Sequence, residues 1–402
     1  MRRAALAGLL FAPCLAWAGE KHAVLTGLDV LREGGAAVLK GKRVGLITNQ
    51  TGVDREGRPA AHILEAAARV ELKAMFSPEH GFTGVSEDST VASGFYALPD
   101  GRRLPLYSLY GATRAPTADM LKGLDALVFD IQDVGVRFYT YAATMAMSME
   151  AAAAAGLDFV VLDRPNPIDG DRVEGPLLDP EIRHFTAYLP VPVRHGLTMG
   201  ELARLHNILG RIGARLQVVP LRGWARKMWF DETGLPWTPP SPNMPDLDSA
   251  VLYPGTGCFE ATNLSVGRGT PLPFRWVGAP WLEPGPVLER LKSAKLQGVR
   301  FSAKALTPAK DVYEGLACPG IRIEVTDRGA MRPLEVFVHL AAALRDTQKG
   351  RFEVRGPAMS RLTGSRNFTE LFGKGGKPEE LLPLFDADAA RFQTERAPFL
   401  LY

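Results

Sequence analysis

Cysteine is scarce in this chain, with three in 402 residues, too few for a disulfide framework. No CxxC or HExxH pattern occurs and the seven histidines are scattered, which argues against a structural or catalytic zinc. A glycine-rich phosphate loop is missing as well. Gly52 and Gly57 do not make GxGxxG, so no dinucleotide and no other cofactor is expected. Neither sign of charge is in excess: 47 Lys and Arg face 44 Asp and Glu, with no block of like charges. Binding of nucleic acid by bulk charge is therefore not expected. Past residue 18 no apolar run approaches the ~20 residues of a membrane span, so no stable membrane anchor is expected.

What is present is ordinary globular composition, 46% hydrophobic and 23% charged, with room for two or three domains at ~150 residues each. The first residues set a compartment. Met1-Arg2-Arg3 is basic, Ala4 to Leu15 is apolar apart from Gly8 and Pro13, and Ala16-Trp17-Ala18 places small residues before Gly19. Residues 1–18 thus read as a secretory signal peptide cleaved near Ala18, giving an exported protein, periplasmic or secreted. Cys14 follows Pro13, where lipidation needs a small residue. Cys258 and Cys318 remain, and an oxidising compartment would permit one bridge between them.

From Arg43 to about Pro220, short apolar runs alternate with helical stretches. Strands are expected at Arg43–Ile47, Glu71–Phe76, Asp125–Phe129 and Asp158–Leu162, and helices at Ala60–Ala68 and Tyr141–Ala155. Continuous apolar strands separated by helices imply a parallel sheet covered on both faces, an α/β doubly wound domain. Thr198 with Glu201 reads as a capping box opening a helix to about Ile208. Residues 234–246 carry five prolines around Trp237. They can be neither helix nor central strand, and read as a structured crossing rather than a loose linker. Beyond them, Val287–Lys295 and Leu334–Leu344 read as helices and Ile321–Val325 as a half-exposed strand. The expected division is a catalytic domain over 22–249 and a smaller α+β auxiliary domain over 250–402.

Ligands of such sheets sit beyond the carboxyl ends of the strands, and those ends carry the unusual polar residues. Glu79 lies between Pro78 and His80, with Phe76 and Phe82 on either side. Enclosure by apolar groups favours a neutral carboxyl, the form that can protonate a leaving oxygen; a loop-fixing role is the alternative. Asp130, Gln132, Asp133, Arg137 and Tyr141 follow the third strand, and Asp163 and Arg164 the fourth. Each could hold polar ligand groups or simply brace its loop. Asn49 ends the first strand as an amide suited to sugar hydroxyls, and Tyr107, Tyr110, Tyr139 and Tyr141 could supply aromatic faces. No GxSxG elbow occurs, which argues against a serine hydrolase. His195 reads as a core histidine.

Taken together, the strings TNQTG from Thr48, SPEHGF from Ser77, DIQDVGVRFYTY from Asp130, DRPNP from Asp163 and VRHGLTMGEL from Val193 resemble one bacterial family. PPSPNMP from Pro239, YPGTG from Tyr253 and NLSVGRGT from Asn263 continue the match. The chain looks like the exo-acting β-N-acetylmuramidases of glycoside hydrolase family 171. That resemblance implies a Rossmann-like N-terminal domain, a smaller C-terminal domain and an active site between them. It also implies release of terminal N-acetylmuramic acid from the non-reducing ends of peptidoglycan fragments, with Glu79 as catalytic acid. Asp130 or Asp133 would then orient the substrate acetamide or serve as base. Arg137 first, and Arg268 second, would meet the lactate carboxylate, with His80 and Asn263 as further binding groups. At Val266 the chain departs from the pattern, which has an acidic residue there. The competing reading is a periplasmic sugar-binding module without catalysis.

Overall fold

The computed structural model describes residues 24–87 and 90–402; the expected leader lies outside them. In the first lobe, α1 (Gly27–Glu33), β1 (Arg43–Thr48), α2 (Ala60–Ala66), β2 (Glu71–Ser77), β3 (Gly94–Ala97) and β4 (Arg103–Ser108) come first. They are followed by α3 (Ala118–Leu121), β5 (Ala126–Asp130), α4 (Thr140–Ala154), β6 (Asp158–Leu162), α5 (Met199–Leu209) and β7 (Arg215–Val219). Among the described residues the sheet runs β3-β4-β2-β1-β5-β6-β7. It is parallel except for β3, which pairs antiparallel with β4 at the edge. The central strands β1 and β5 are almost wholly buried, as a sheet covered on both faces requires.

Alternation along each strand divides the core in two. Leu46, Met75 and Val128 face α1 and α2. Their neighbours Ile47, Phe76 and Phe129 face the other way, into a cluster that includes Tyr141 and Met145 of α4 and continues to Phe259, Phe337 and Phe368. One buried cluster therefore runs from the sheet and α4 into the second lobe. This helix, rich in Ala and Met, buries residues on every side, as expected of a helix without a polar face.

The second lobe contains α6 (Leu247–Thr256), β8 (Trp276–Gly278), α7 (Pro284–Ala294), β9 (Val299–Ala303), β10 (Gly320–Val325) and α8 (Pro333–Thr347), then α9 (Gly356–Thr363), α10 (Arg366–Gly373) and α11 (Pro378–Glu395). Its small antiparallel sheet has the order β8-β10-β9. The proline-rich crossing is tied down at both flanks. The Gln50 side-chain amide donates to the Pro239 carbonyl at 2.8 Å, and the Tyr141 hydroxyl to the Pro240 carbonyl at 2.6 Å. Cys258 and Cys318 are both buried free thiols, so no bridge forms between them. Val266 packs in the shared core, where an acidic side chain would have no access to ligand. His195 is likewise buried; its Nδ1 accepts from the Leu197 amide, and burial pushes its pKa down to about 3.

Close contact of α6 with α8 depends on Gly255. A Cβ there would lie 1.9 Å from the Pro333 carbonyl oxygen, and backbone cannot yield as a flexible side chain can. Gly255→Ala is expected to lower stability by about 1–3 kcal/mol, read as a fall in denaturant midpoint at unchanged m-value.

Candidate active site

The carboxyl ends of the strands do not behave alike. Those of β2, β4 and β5 open into a cavity of ≈ 590 Å³ between the lobes. Those of β1 and β6 are consumed by packing.

Glu79 stands on the turn after β2. The Gly81 amide donates to the Pro78 carbonyl at 3.1 Å, and His80 takes a left-handed φ of 69°. Few non-glycine residues accept that conformation without support. Support comes from the His80 ring, whose Nδ1 contacts the Ser86 carbonyl at 2.7 Å. A carbonyl can only accept, so Nδ1 carries the proton, and in the neutral ring Nε2 is left as an acceptor. The flanking phenylalanines do not enclose Glu79 as expected. Phe76 turns into the core against Tyr107, and Phe82 packs on Tyr96. Hydroxyl groups take their place. Thr140, the first residue of α4, donates to Glu79 Oε2 at 2.5 Å. The Tyr110 phenol lies beside the same carboxylate and is pushed up to about 12, by burial first and then by Glu79.

The opposite wall belongs to the second lobe. Arg268 holds Glu260 Oε1 through Nε and Nη2 at 2.9 and 2.6 Å, and the two acidic neighbours Glu260 and Asp311 keep its pKa high against the cost of burial. Tyr253 and Phe274 meet edge to face at 4.5 Å and form an apolar surface between the walls. At the rim, Glu87 accepts from Asn243 Nδ2 at 2.8 Å and from Lys310 Nζ, which joins the first lobe, the crossing and the second lobe. The Lys310 ammonium leads in holding the Glu87 carboxyl below its usual range.

Of the residues picked out in the sequence, Glu79, His80, Tyr110, Tyr139 and Arg268 line this cavity. The others do not, each for a definite reason. Asp130 is fully buried and bidentate to Arg164, at 2.6 and 3.0 Å; burial pushes its carboxyl up and Arg164 opposes the shift. Arg164 also donates to the Val53 carbonyl. Asp163 accepts from Thr198 Oγ1, the Gly200 amide and the Tyr402 hydroxyl, and so caps α5 instead of meeting ligand. Asn49 Oδ1 folds back onto Thr51, Gln132 Nε2 bonds the Asp133 and Pro165 carbonyls, and Tyr141 is spent on Pro240. Asn263 bridges the Arg351 carbonyl and the Glu353 amide within its own lobe. Arg137 is the clearest correction. Its guanidinium is buried and donates to the carbonyls of Pro176, Val191 and Leu362, so it braces the lobes and offers nothing to a substrate anion.

Asp133 is buried behind the cavity wall. One oxygen accepts from the Gly135 amide at 2.7 Å and the other finds no hydrogen-bond partner among the described residues. Burial pushes its pKa up to about 7. Sequence reasoning did not single out Thr140, Glu87, Asn243 or Lys310. Thr140 was open to detection, since it sits where the DIQDVGVRFYTY string meets the alanine-rich helix.

Comparison with known proteins fits this geometry. Residues 44–248 match the family model described as exo-β-N-acetylmuramidase NamZ, N-terminal, and residues 251–402 match its C-terminal counterpart. The chain belongs to the NamZ exo-β-N-acetylmuramidase family. It is 41% identical over 384 residues to the peptidoglycan β-N-acetylmuramidase NamZ of Bacillus subtilis, covering 95% of this chain and 92% of that one. Crystal structures of two DUF1343 family proteins from Bacteroides fragilis superpose on it, with TM-scores of 0.86 and 0.73 at 35% and 29% identity. Each comparison covers 94% of this chain and 99% of the other. The family's two halves meet at the proline-rich crossing, on either side of the cavity.

Two expectations follow for the corrected residues. Arg137→Met leaves three buried carbonyls unpaired and is expected to lower stability by about 3–5 kcal/mol, measured by chemical denaturation. Folded Asp133 keeps its proton to about pH 7, whereas a free aspartate loses it near pH 3.8. The folded state therefore binds more protons between those values, and stability from this group is lost as pH rises through them. Asp133→Asn removes the dependence, so thermal melts should show the variant gaining on the parent protein from roughly pH 4.5 to roughly pH 7.5.

Proposed function

We propose that this chain is an exo-acting glycosidase that releases terminal N-acetylmuramic acid from the non-reducing ends of peptidoglycan fragments, with Glu79 as general acid. The observation that carries the reading is a carboxylate fixed by Thr140 in a cavity walled by both halves of a muramidase family. Buried Tyr253 and Phe274 back the cavity, and the carboxylates, hydroxyls and amide around them match the hydroxyl groups of a sugar.

In this mechanism the proton of Glu79 passes to the glycosidic oxygen as the bond from that oxygen to the anomeric carbon breaks. The second carboxylate comes from the far wall rather than from Asp130 or Asp133. Glu260 is the best placed, because it lines the same cavity as Glu79 from the other lobe. Held by Arg268, it accepts from the substrate acetamide N–H. The acetamide oxygen then bonds to the anomeric carbon, and water opens that ring, giving one of its protons to the Glu79 carboxylate. The basic, apolar and Ala-Trp-Ala sequence at the start supports export, which would bring the enzyme to the cell wall.

Glu79→Gln is expected to cut kcat on a chromogenic N-acetylmuramide by at least ~10³-fold, with the melting temperature nearly unchanged. Undiminished turnover would remove Glu79 from the role of acid. Saturable binding of fragments by the unaltered protein, with no sugar released, would mark a capture protein instead.

A further inference from the structure

A muramic residue differs from glucosamine by a lactyl carboxylate, yet the cavity lining carries four carboxylates, Glu79, Glu87, Glu260 and Asp311, against only Arg268 and Lys310. Both cations are already bonded to carboxylates of the protein. A substrate anion meeting them would have to compete with those carboxylates. Unspent positive charge lies instead along the edge formed by Tyr110, Thr186 and Leu362, which all line the cavity. The Arg114 guanidinium lies 3.7 Å from the centre of the Tyr110 ring and 4.9 Å from that of Phe185. Arg361 directly precedes Leu362, whose carbonyl is clamped by Arg137. Arg114 Nη1 and Arg361 Nε have no hydrogen-bond partner among the described residues, and neither arginine forms an ion pair there. On the same edge His184 bonds Thr186 Oγ1 at 2.9 Å, and its pKa is lowered by burial first and then by the charges of Arg361 and Arg114.

We propose that Arg114 and Arg361 form the specificity site for the carboxylate borne by the O3 substituent of the terminal sugar. The inference rests on the muramidase reading and adds the residues that would tell muramic acid from glucosamine. A planar guanidinium held on an aromatic face is pre-organised to present paired N–H donors to a carboxylate. That carboxylate belongs to the lactyl group when no peptide is attached, or to the stem peptide when the lactyl group is amidated.

The test is calorimetric binding of N-acetylmuramic acid, its methyl ester, N-acetylglucosamine and muramyl dipeptide to the full chain and to Arg114→Met and Arg361→Met. Methionine keeps the apolar stem, and thermal melts confirm folding. The unaltered protein should prefer the free acid to the ester and to N-acetylglucosamine, and either variant should weaken acid binding on the order of 10- to 100-fold, bringing the acid-to-ester preference toward unity. A loss on the free acid assigns the lactyl carboxylate; a loss confined to the dipeptide assigns the peptide carboxylate. Equal losses on acid and ester, or no preference for the acid in the unaltered protein, overturn the proposal. Charge-dependent binding without hydrolysis of a chromogenic muramide would defeat the hydrolase reading alone. Hydrolysis without charge discrimination would defeat only this assignment.

Discussion

Helix α4 is the constraint on which the rest of the molecule depends. Its side chains pack on the sheet and on α5 and belong to a buried cluster that continues into the second lobe. Protein interiors pack as densely as organic crystals, so a change of volume at Tyr141, Met145 or Met149 is felt along that cluster. Tyr141 also holds the crossing between the lobes through the Pro240 carbonyl, and the first residue of the same helix is the hydroxyl partner of Glu79. The carboxylate and the crossing are thus tied to one element.

Around this helix the strand ends divide into two chemistries. At the ends of β5 and β6, buried carboxylates are paired by the protein: Asp130 by Arg164, Asp163 by the start of α5 and by Tyr402. Leaving such groups unpaired would be costly, and pairing them removes them from ligand binding. After β2 and β4 the polar groups face open space. The cavity thus lies beyond β2 and β4, on one side of the point between β1 and β5 at which the sheet order reverses, and takes Phe138, Tyr139 and Thr140 from the segment after β5 on the other.

Much of the fold could be read from the sequence because it rests on local pattern. β6 and the capping box of α5 lie where the apolar run and the Thr198–Glu201 spacing put them. Strands β3 and β7 escaped notice because they lie at the sheet edges, partly exposed, with little apolar signal. The site was legible only in part, for a different reason. A polar residue at a strand end announces that it needs a partner but not whether that partner is a ligand or the chain itself. Arg137 finds its partners 39, 54 and 225 residues away, and Glu87 meets Lys310 across 223 residues. No periodicity encodes such distances. Arg137 and Arg268 looked alike in sequence, and only packing separates a brace from a wall.

The contact among Glu87, Asn243 and Lys310 has a further meaning for polymer chemistry. A glycan strand threading the crevice from side to side would need both flanks clear. Here one flank is crossed by a contact among residues from three separate stretches, and a strand running through on that side would have to displace it, whereas a strand terminus entering from elsewhere would not.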